Sequence, residues 1–183
     1  LTGRTQSMVG IYLDDVRLTY NAPDPDLRLV DMAQVEVLRG PQGALYGAGS
    51  LGGVLHLVTI QPDRQAFGGW MSATLRGTKG GAGSDAFEGA VNLPFLGGRG
   101  AGRIVAYRDD EGGYINDTAL NLTRVNQLTR EGARLSAELD VTDALTVSAG
   151  LVAQSINSAD TQYTFVGQPA YSRDIALQEP HDN

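Results

Sequence analysis

The residues able to do chemistry in this sequence are few, and their spacing limits what they can do. Two carboxylates adjoin at Asp14-Asp15 and three at Asp109-Asp110-Glu111. Such groups serve acid–base catalysis or hold a hard cation, but neither run has the spacing of a calcium loop. The second run falls where a predicted strand leaves for a long connection, so a solvated loop is the expected role. His56 lies within an apolar strand-like run far from His181, so a structural histidine is expected. Asn116-Asp117-Thr118 and Asn121-Leu122-Thr123 match the glycosylation pattern, which matters only in a eukaryotic secreted protein. The chain has no cysteine and no nucleophile–base arrangement, so neither a thiolate metal site nor an enzyme is expected.

Gly47-x-Gly49-x-x-Gly52 has the form of a dinucleotide-binding turn. That turn must follow a strand and open a helix, whose N-terminus then receives the pyrophosphate. Here a predicted helix precedes the glycines and a predicted strand follows them. The context argues against the nucleotide reading and against a soluble nucleotide-dependent enzyme, which would need a helix after Gly52 where Val54 to Val58 reads as a strand, and no cofactor is expected.

The elements that position these residues come in two styles. Up to Pro62, strands alternate with short helices. Val9 to Leu18 reads as a strand, and Asp24-Pro25 as the cap and first turn of a helix reaching Met32, with Leu29 and Met32 on its buried face. Val35 to Leu38 alternates as a strand. Arg39-Gly40-Pro41 breaks it, Pro41 opens a one- or two-turn helix, and Gly47 ends it. Val54 to Thr59 is rich in β-branched residues and reads as a strand.

Beyond Phe67 five segments alternate with period two. Met71, Ala73 and Leu75 share one face of the first, and Phe87, Gly89, Val91 and Leu93 one face of the second. Ile104 and Ala106 lie opposite Arg103, Val105 and Tyr107. Ala133, Leu135, Ala137 and Leu139 lie opposite Arg134, Ser136, Glu138 and Asp140, and Leu145 to Ala153 repeats the pattern. Short and long connections alternate between them, as in an outer-membrane barrel with tight periplasmic turns and longer external loops. A soluble sandwich or lipocalin-like barrel is the alternative. Trp70 and Tyr107, near strand ends, are candidates for an interfacial aromatic belt.

Composition sets outer limits. The 183 residues carry a net charge of −7, which argues against a nucleic-acid partner. No apolar run reaches the roughly eighteen residues of a transmembrane helix, which says nothing against barrel strands. The chain opens at Leu1 without an initiator Met or a signal peptide, so a fragment is expected.

The order of motifs in the first part resembles the plug domain of TonB-dependent outer-membrane receptors. Val35-Glu36-Val37-Leu38-Arg39-Gly40-Pro41, then Leu45-Tyr46-Gly47, then Gly52-Gly53-Val54 and a strand ending at Pro62 follow that family's sequence. Val9-Gly10-Ile11-Tyr12-Leu13-Asp14-Asp15-Val16 is similar to its Y-x-D-G-V strand. Asp15 replaces the usual glycine, His56 a common asparagine, and Ile60-Gln61 the usual basic residues. The resemblance implies an α+β plug portion over residues 1–64, followed over 65–183 by the first five antiparallel strands of a transmembrane β-barrel. Five strands cannot close a barrel that takes about twenty-two. It further implies a bacterial outer-membrane importer of a scarce solute such as a ferric siderophore, in contact with outer-membrane lipid. The energy would come from the TonB-ExbB-ExbD complex through an N-terminal segment absent here. Glu36 and Arg39 become candidates for ion pairs between plug and wall, with Arg103 and Arg134 as lumen-facing partners. Tyr163, Phe165 and Tyr171 in the last loop become candidates for ligand contact. A passive porin-like channel and a soluble β-rich binding domain are the other readings.

Overall fold

A computed structural model describes residues 8–18, 26–47, 50–178 and 180–182. The chain divides into two compact units, Leu1–Gln61 and Pro62–Asn183.

The first unit is a mixed four-stranded sheet. Its strands are β1 (Val9–Leu13), β2 (Val16–Arg17), β3 (Met32–Arg39) and β4 (Gly53–Thr59), in the order β2-β1-β4-β3. β1 runs parallel to β4, and β3 antiparallel to it. Ile11, Leu13 and Leu57 form its core, with Leu27, Met32 and Leu55 packed against them.

Two local expectations are corrected here. The single strand Val9 to Leu18 is a hairpin, because Asp14 adopts a positive φ of 49° and turns the chain between β1 and β2. Asp is among the residues that tolerate this conformation. The helix expected over Pro25 to Met32 is also missing. Asp24 and Pro25 lie outside the described residues, but residues 26–30 are irregular and Met32 already pairs with Thr59 in the sheet. Asp31, at φ 57°, breaks any helical path into Met32, and Leu29 is exposed rather than buried.

The motif region follows the sequence reading more closely. α1 (Gly43–Tyr46) is a single turn, and Gly47 at φ 74° ends it with its N–H on the Gly43 carbonyl. Pro41 stands just before the Gln42 cap rather than at the first helical position.

The second unit is a meander of long strands: β5 (Gly68–Gly77), β6 (Gly83–Phe95), β7 (Gly100–Glu111), β9 (Leu128–Thr142) and β10 (Leu145–Ser158). The short pieces β8 (Asn116–Asp117), β11 (Ser172–Arg173) and β12 (His181–Asp182) belong to the long connections and the far edge. The sheet order is β12-β10-β9-β7-β6-β5, every neighbouring pair is antiparallel, and β5 does not pair back to close it. At one end the strands join through the tight turns 96–99 and Asp143-Ala144. At the other they join through residues 78–82 and 112–127, and β10 continues into 159–180. Long and short connections therefore segregate to opposite ends of the sheet.

Candidate functional site

The two faces of the long sheet are the first functional feature. The register aligns Val91, Ile104, Leu135 and Leu151 across β6, β7, β9 and β10, and beside them Gly89, Ala106, Ala133 and Ala153. Met71 extends the second row onto β5. This face is the open one: Met71 is 90% and Leu75 83% exposed, and Leu135, Leu145, Val147 and Leu151 are exposed as well. The opposite face aligns Asn92, Arg103 and Ser136, and it places Glu88 and Tyr107 in one row with Gln154. There Arg103 is only 8% and Asn92 only 3% exposed, and Arg134 is buried too. A soluble sheet hides its apolar side; this one does the reverse, which suits a strand wall with lipid outside.

The apolar band has defined edges. From Ala133 to Val141 on β9 it runs about 27 Å along the strand, or about 20 Å along the normal at the usual tilt. On the loop side it ends at the outward-facing pair Arg108–Glu131, 3.5 Å apart, next to Phe87. On the turn side it ends near Phe95, whose ring covers the bare backbone of Gly100 in the next strand. Among the described residues no helix is long and apolar enough to cross a membrane.

Period-two parity also corrects the aromatic belt. Trp70 pairs with Ala90, and Tyr107 with Glu88 and Gly132, so both lie on the polar face. Tyr107 lies over Gly132 and donates its hydroxyl hydrogen to Gln154. Phe87 and Phe95, both on the apolar face and close to its two edges, take the belt position instead.

The carboxylate run at Asp109-Asp110-Glu111 is likewise not a solvated loop. β7 continues through Glu111, which brings each acid to a basic partner: Asp109 to Arg76, Asp110 to Arg108 at 2.7 Å, and Glu111 to Arg130 at 2.5 Å. Among the described residues no group of His, Asp and Glu is arranged to hold a metal ion.

In the first unit the polar side chains tie strands together. The Asp14 carboxylate accepts hydrogen bonds from the Thr59 N–H at 2.8 Å and the Thr59 hydroxyl at 2.9 Å, fastening the β1–β2 turn to the end of β4. His56 is structural, as its isolation predicts. Its Nδ1 lies 2.9 Å from Glu36 Oε2 and its Nε2 lies 3.0 Å from the Asp14 carbonyl oxygen. Glu36 also accepts from Gln34 Nε2 at 2.7 Å. Arg39 ends β3 opposite Gly53.

The motif glycines are used where the backbone demands them. Gly40 is at φ 84° and Gly53 at φ 147°, and a Cβ on Gly53 would lie 2.4 Å from the Leu38 carbonyl oxygen. Gly52 donates its N–H to the Met8 carbonyl at 2.8 Å. Leu45 is exposed, and the Tyr46 ring meets Tyr12 edge-on at 5.0 Å.

The long connections hold a feature that sequence reading missed. Arg173 is 0% exposed and lies between two buried carboxylates. Its Nε donates to Asp117 Oδ2 at 2.8 Å, its Nη2 to Asp160, and its Nη1 to the Thr161 hydroxyl at 3.0 Å. Burial works against the guanidinium charge, yet the hydrogen bonds it donates to Asp160 and Asp117 hold its pKa above the ordinary value. This cluster joins the 112–127 connection to 159–180, and β8 and β11 pair beside it. Tyr171 meets Tyr114 edge-on at 5.6 Å across the same junction, and Tyr163 and Phe165 are exposed nearby in sequence.

Comparison with known proteins agrees with this geometry. Residues 1–54 match the family model described as the TonB-dependent Receptor Plug Domain. The chain is 38% identical over 114 residues to the Pesticin receptor of Yersinia pestis, covering 59% of this chain and 15% of that protein. A shorter match, 53% identical over 32 residues, covers 18% of the chain and 5% of the Vitamin B12 transporter BtuB of Vibrio vulnificus. The fold is similar to the ferric yersiniabactin uptake receptor FyuA of Yersinia pestis, with a TM-score of 0.65 at 24% identity over 82% of this chain and 23% of that one. It is also similar to the pyoverdine outer membrane receptor FpvA of Pseudomonas aeruginosa, with a TM-score of 0.65 at 22% identity over 81% and 21% of the two chains. The chain thus spans about 15% of the length of the pesticin receptors it matches. With the plug-domain match over residues 1–54 and the inverted strand wall, the chain resembles the plug and first wall strands of TonB-dependent receptors of the bacterial outer membrane.

Proposed function

We propose that the intact protein is an active importer that binds a scarce solute of the ferric-siderophore kind at its loop face and draws energy from the TonB-ExbB-ExbD complex. The observation that carries this reading is a plug-type sheet followed in one chain by a strand wall with its apolar side outward. A passive channel has the wall but no need of the plug. The matched relatives carry names that speak of pesticin, ferric yersiniabactin and pyoverdine, which supports an iron-chelate cargo. In this reading residues 1–64 are plug and 65–183 wall. Glu36 and Arg39 contact the wall near Arg103 and Arg134, and Tyr163, Phe165 and Tyr171 meet the ligand.

The test is uptake of radioiron supplied as ferric yersiniabactin or ferric pyoverdine by the source bacterium. Deleting the gene should abolish uptake of one of them, and so should removing TonB. Uptake that depends on the gene but not on TonB would overturn active import in favour of a passive channel.

A further inference from the structure

We infer that Asn92 and Arg64 anchor the segment entering β5 to the strand wall, immediately after Pro62. Asn92 projects from the polar face of β6 and is buried. Its Oδ1 accepts the Asp63 N–H at 2.8 Å, and its Nδ2 donates to the carbonyls of Asp63 at 2.8 Å and Ala66 at 2.6 Å. The flipped amide would set donor against donor and oxygen against two carbonyls, so one orientation fits. Arg64 reaches Asp140 and, at 3.8 Å, Glu138, both on β9. Residues 63–66 are thus held to two strands of the wall.

On the other side of Pro62 the chain is fastened to the first sheet. Thr59 is bound to Asp14, the Ile60 N–H donates to the Asp31 carbonyl at 3.2 Å, and Gln61 Nε2 reaches the Thr59 hydroxyl at 3.1 Å. Gln61-Pro62 lies between the two sets of bonds. Proline fixes its own φ and confines the preceding residue to extended conformations, so this joint is stiff as well as short. A pull along the chain at residue 61 therefore reaches a fastened stretch within a residue or two. The wall side has a buried amide with three hydrogen bonds and a guanidinium shared by two carboxylates. The sheet side has the ladders of β4 with β1 and β3, the Asp14 carboxylate and the Asp31 carbonyl. The wall anchor keeps a pull along the chain from being spent on slack in residues 63–66. Asn92 is a positioning residue in this scheme. The mechanical consequence rests on the import reading above, but the anchor itself does not.

The test uses the intact receptor in outer-membrane preparations, with hydrogen exchange read by mass spectrometry. Asn92→Ala should speed exchange of the Asp63 amide at least tenfold while residues 53–59 keep their protection. Ligand binding at the loop face should stay unchanged while energised uptake falls at least fivefold. Arg64→Gln should loosen residues 63–67 to a smaller degree, and it carries the test if Asn92→Ala does not assemble. Unchanged exchange at 63–67 in both variants would overturn the anchor. Faster exchange with undiminished uptake would overturn its mechanical role. A wild-type receptor that imports nothing would count against the proposed function alone, since the exchange readout needs no transport.

Discussion

The two sheets of this chain obey the same strand rules and solve opposite problems. The four-stranded sheet buries Ile11, Leu13, Val54 and Leu57 and keeps its polar side chains for fastening turns to strand ends. The long sheet turns Met71, Leu75 and Leu151 outward and buries Arg103, Asn92 and Asp109 on its other side. Register is equally well specified in both, because a one-residue slip would exchange the faces of either. What differs is the solvent each face is built for. The first sheet encloses an apolar core, and the second leaves its apolar side open and buries its polar one, as a wall against lipid would.

The largest effect should come from the glycines that let β4 pass close to β3. Gly53→Val places a branched side chain at φ 147° against the Leu38 carbonyl, so assembly of the receptor in the outer membrane should be lost. In the long sheet Gly102→Ala meets nothing nearer than 3.8 Å, and outer-membrane levels should stay normal. Heat-modifiable migration of the membrane fraction on gels reads both.

Arg173→Met should come next. It leaves Asp117 and Asp160 buried and facing each other without their cation, at a cost of about 3–5 kcal/mol to the joined loops. Limited proteolysis should then cut both 112–127 and 159–180; cutting confined to the second would show that the two do not fold together.

The faces themselves can be set against one another on β9. Leu135→Arg should cost about 2–4 kcal/mol because it puts charge into the apolar band, whereas Ser136→Arg, one residue on, should be nearly neutral. Reversible unfolding into lipid vesicles measures the difference, and equal costs would erase the distinction between the faces. The smallest effect is expected at Asp14→Ala, where loss of two hydrogen bonds at a half-exposed turn should cost about 1–2 kcal/mol net. It should loosen the end of β4 in hydrogen exchange without changing membrane assembly.

Period and order made much of this fold legible in the sequence. The five alternating segments become β5, β6, β7, β9 and β10, since an apolar-polar period of two survives into any sheet that separates two solvents. The Val35 to Thr59 stretch was readable because its glycines sit where positive φ or close backbone approach demands them. Local signals failed where distant partners decide. Asp24-Pro25 looks like a helix start, but Met32 is taken by the ladder with Thr59. Trp70 and Tyr107 look like belt residues until the register fixes their parity. Asp109, Asp110 and Glu111 look like a loop until neighbouring strands supply Arg76, Thr129 and Arg130. Asn92 and Arg173 carry no motif, and their partners lie far away in sequence.

The account stands or falls on which face of the long sheet meets lipid. The chain has no cysteine, so single cysteines at positions 132 to 140 of β9 can be spin-labelled in the intact receptor without background from this segment. Collision rates with oxygen and with a water-soluble nickel chelate then report lipid and water. The account predicts oxygen maxima at 133, 135, 137 and 139, with minima between them. Maxima at 134, 136 and 138, or no alternation at all, would contradict it.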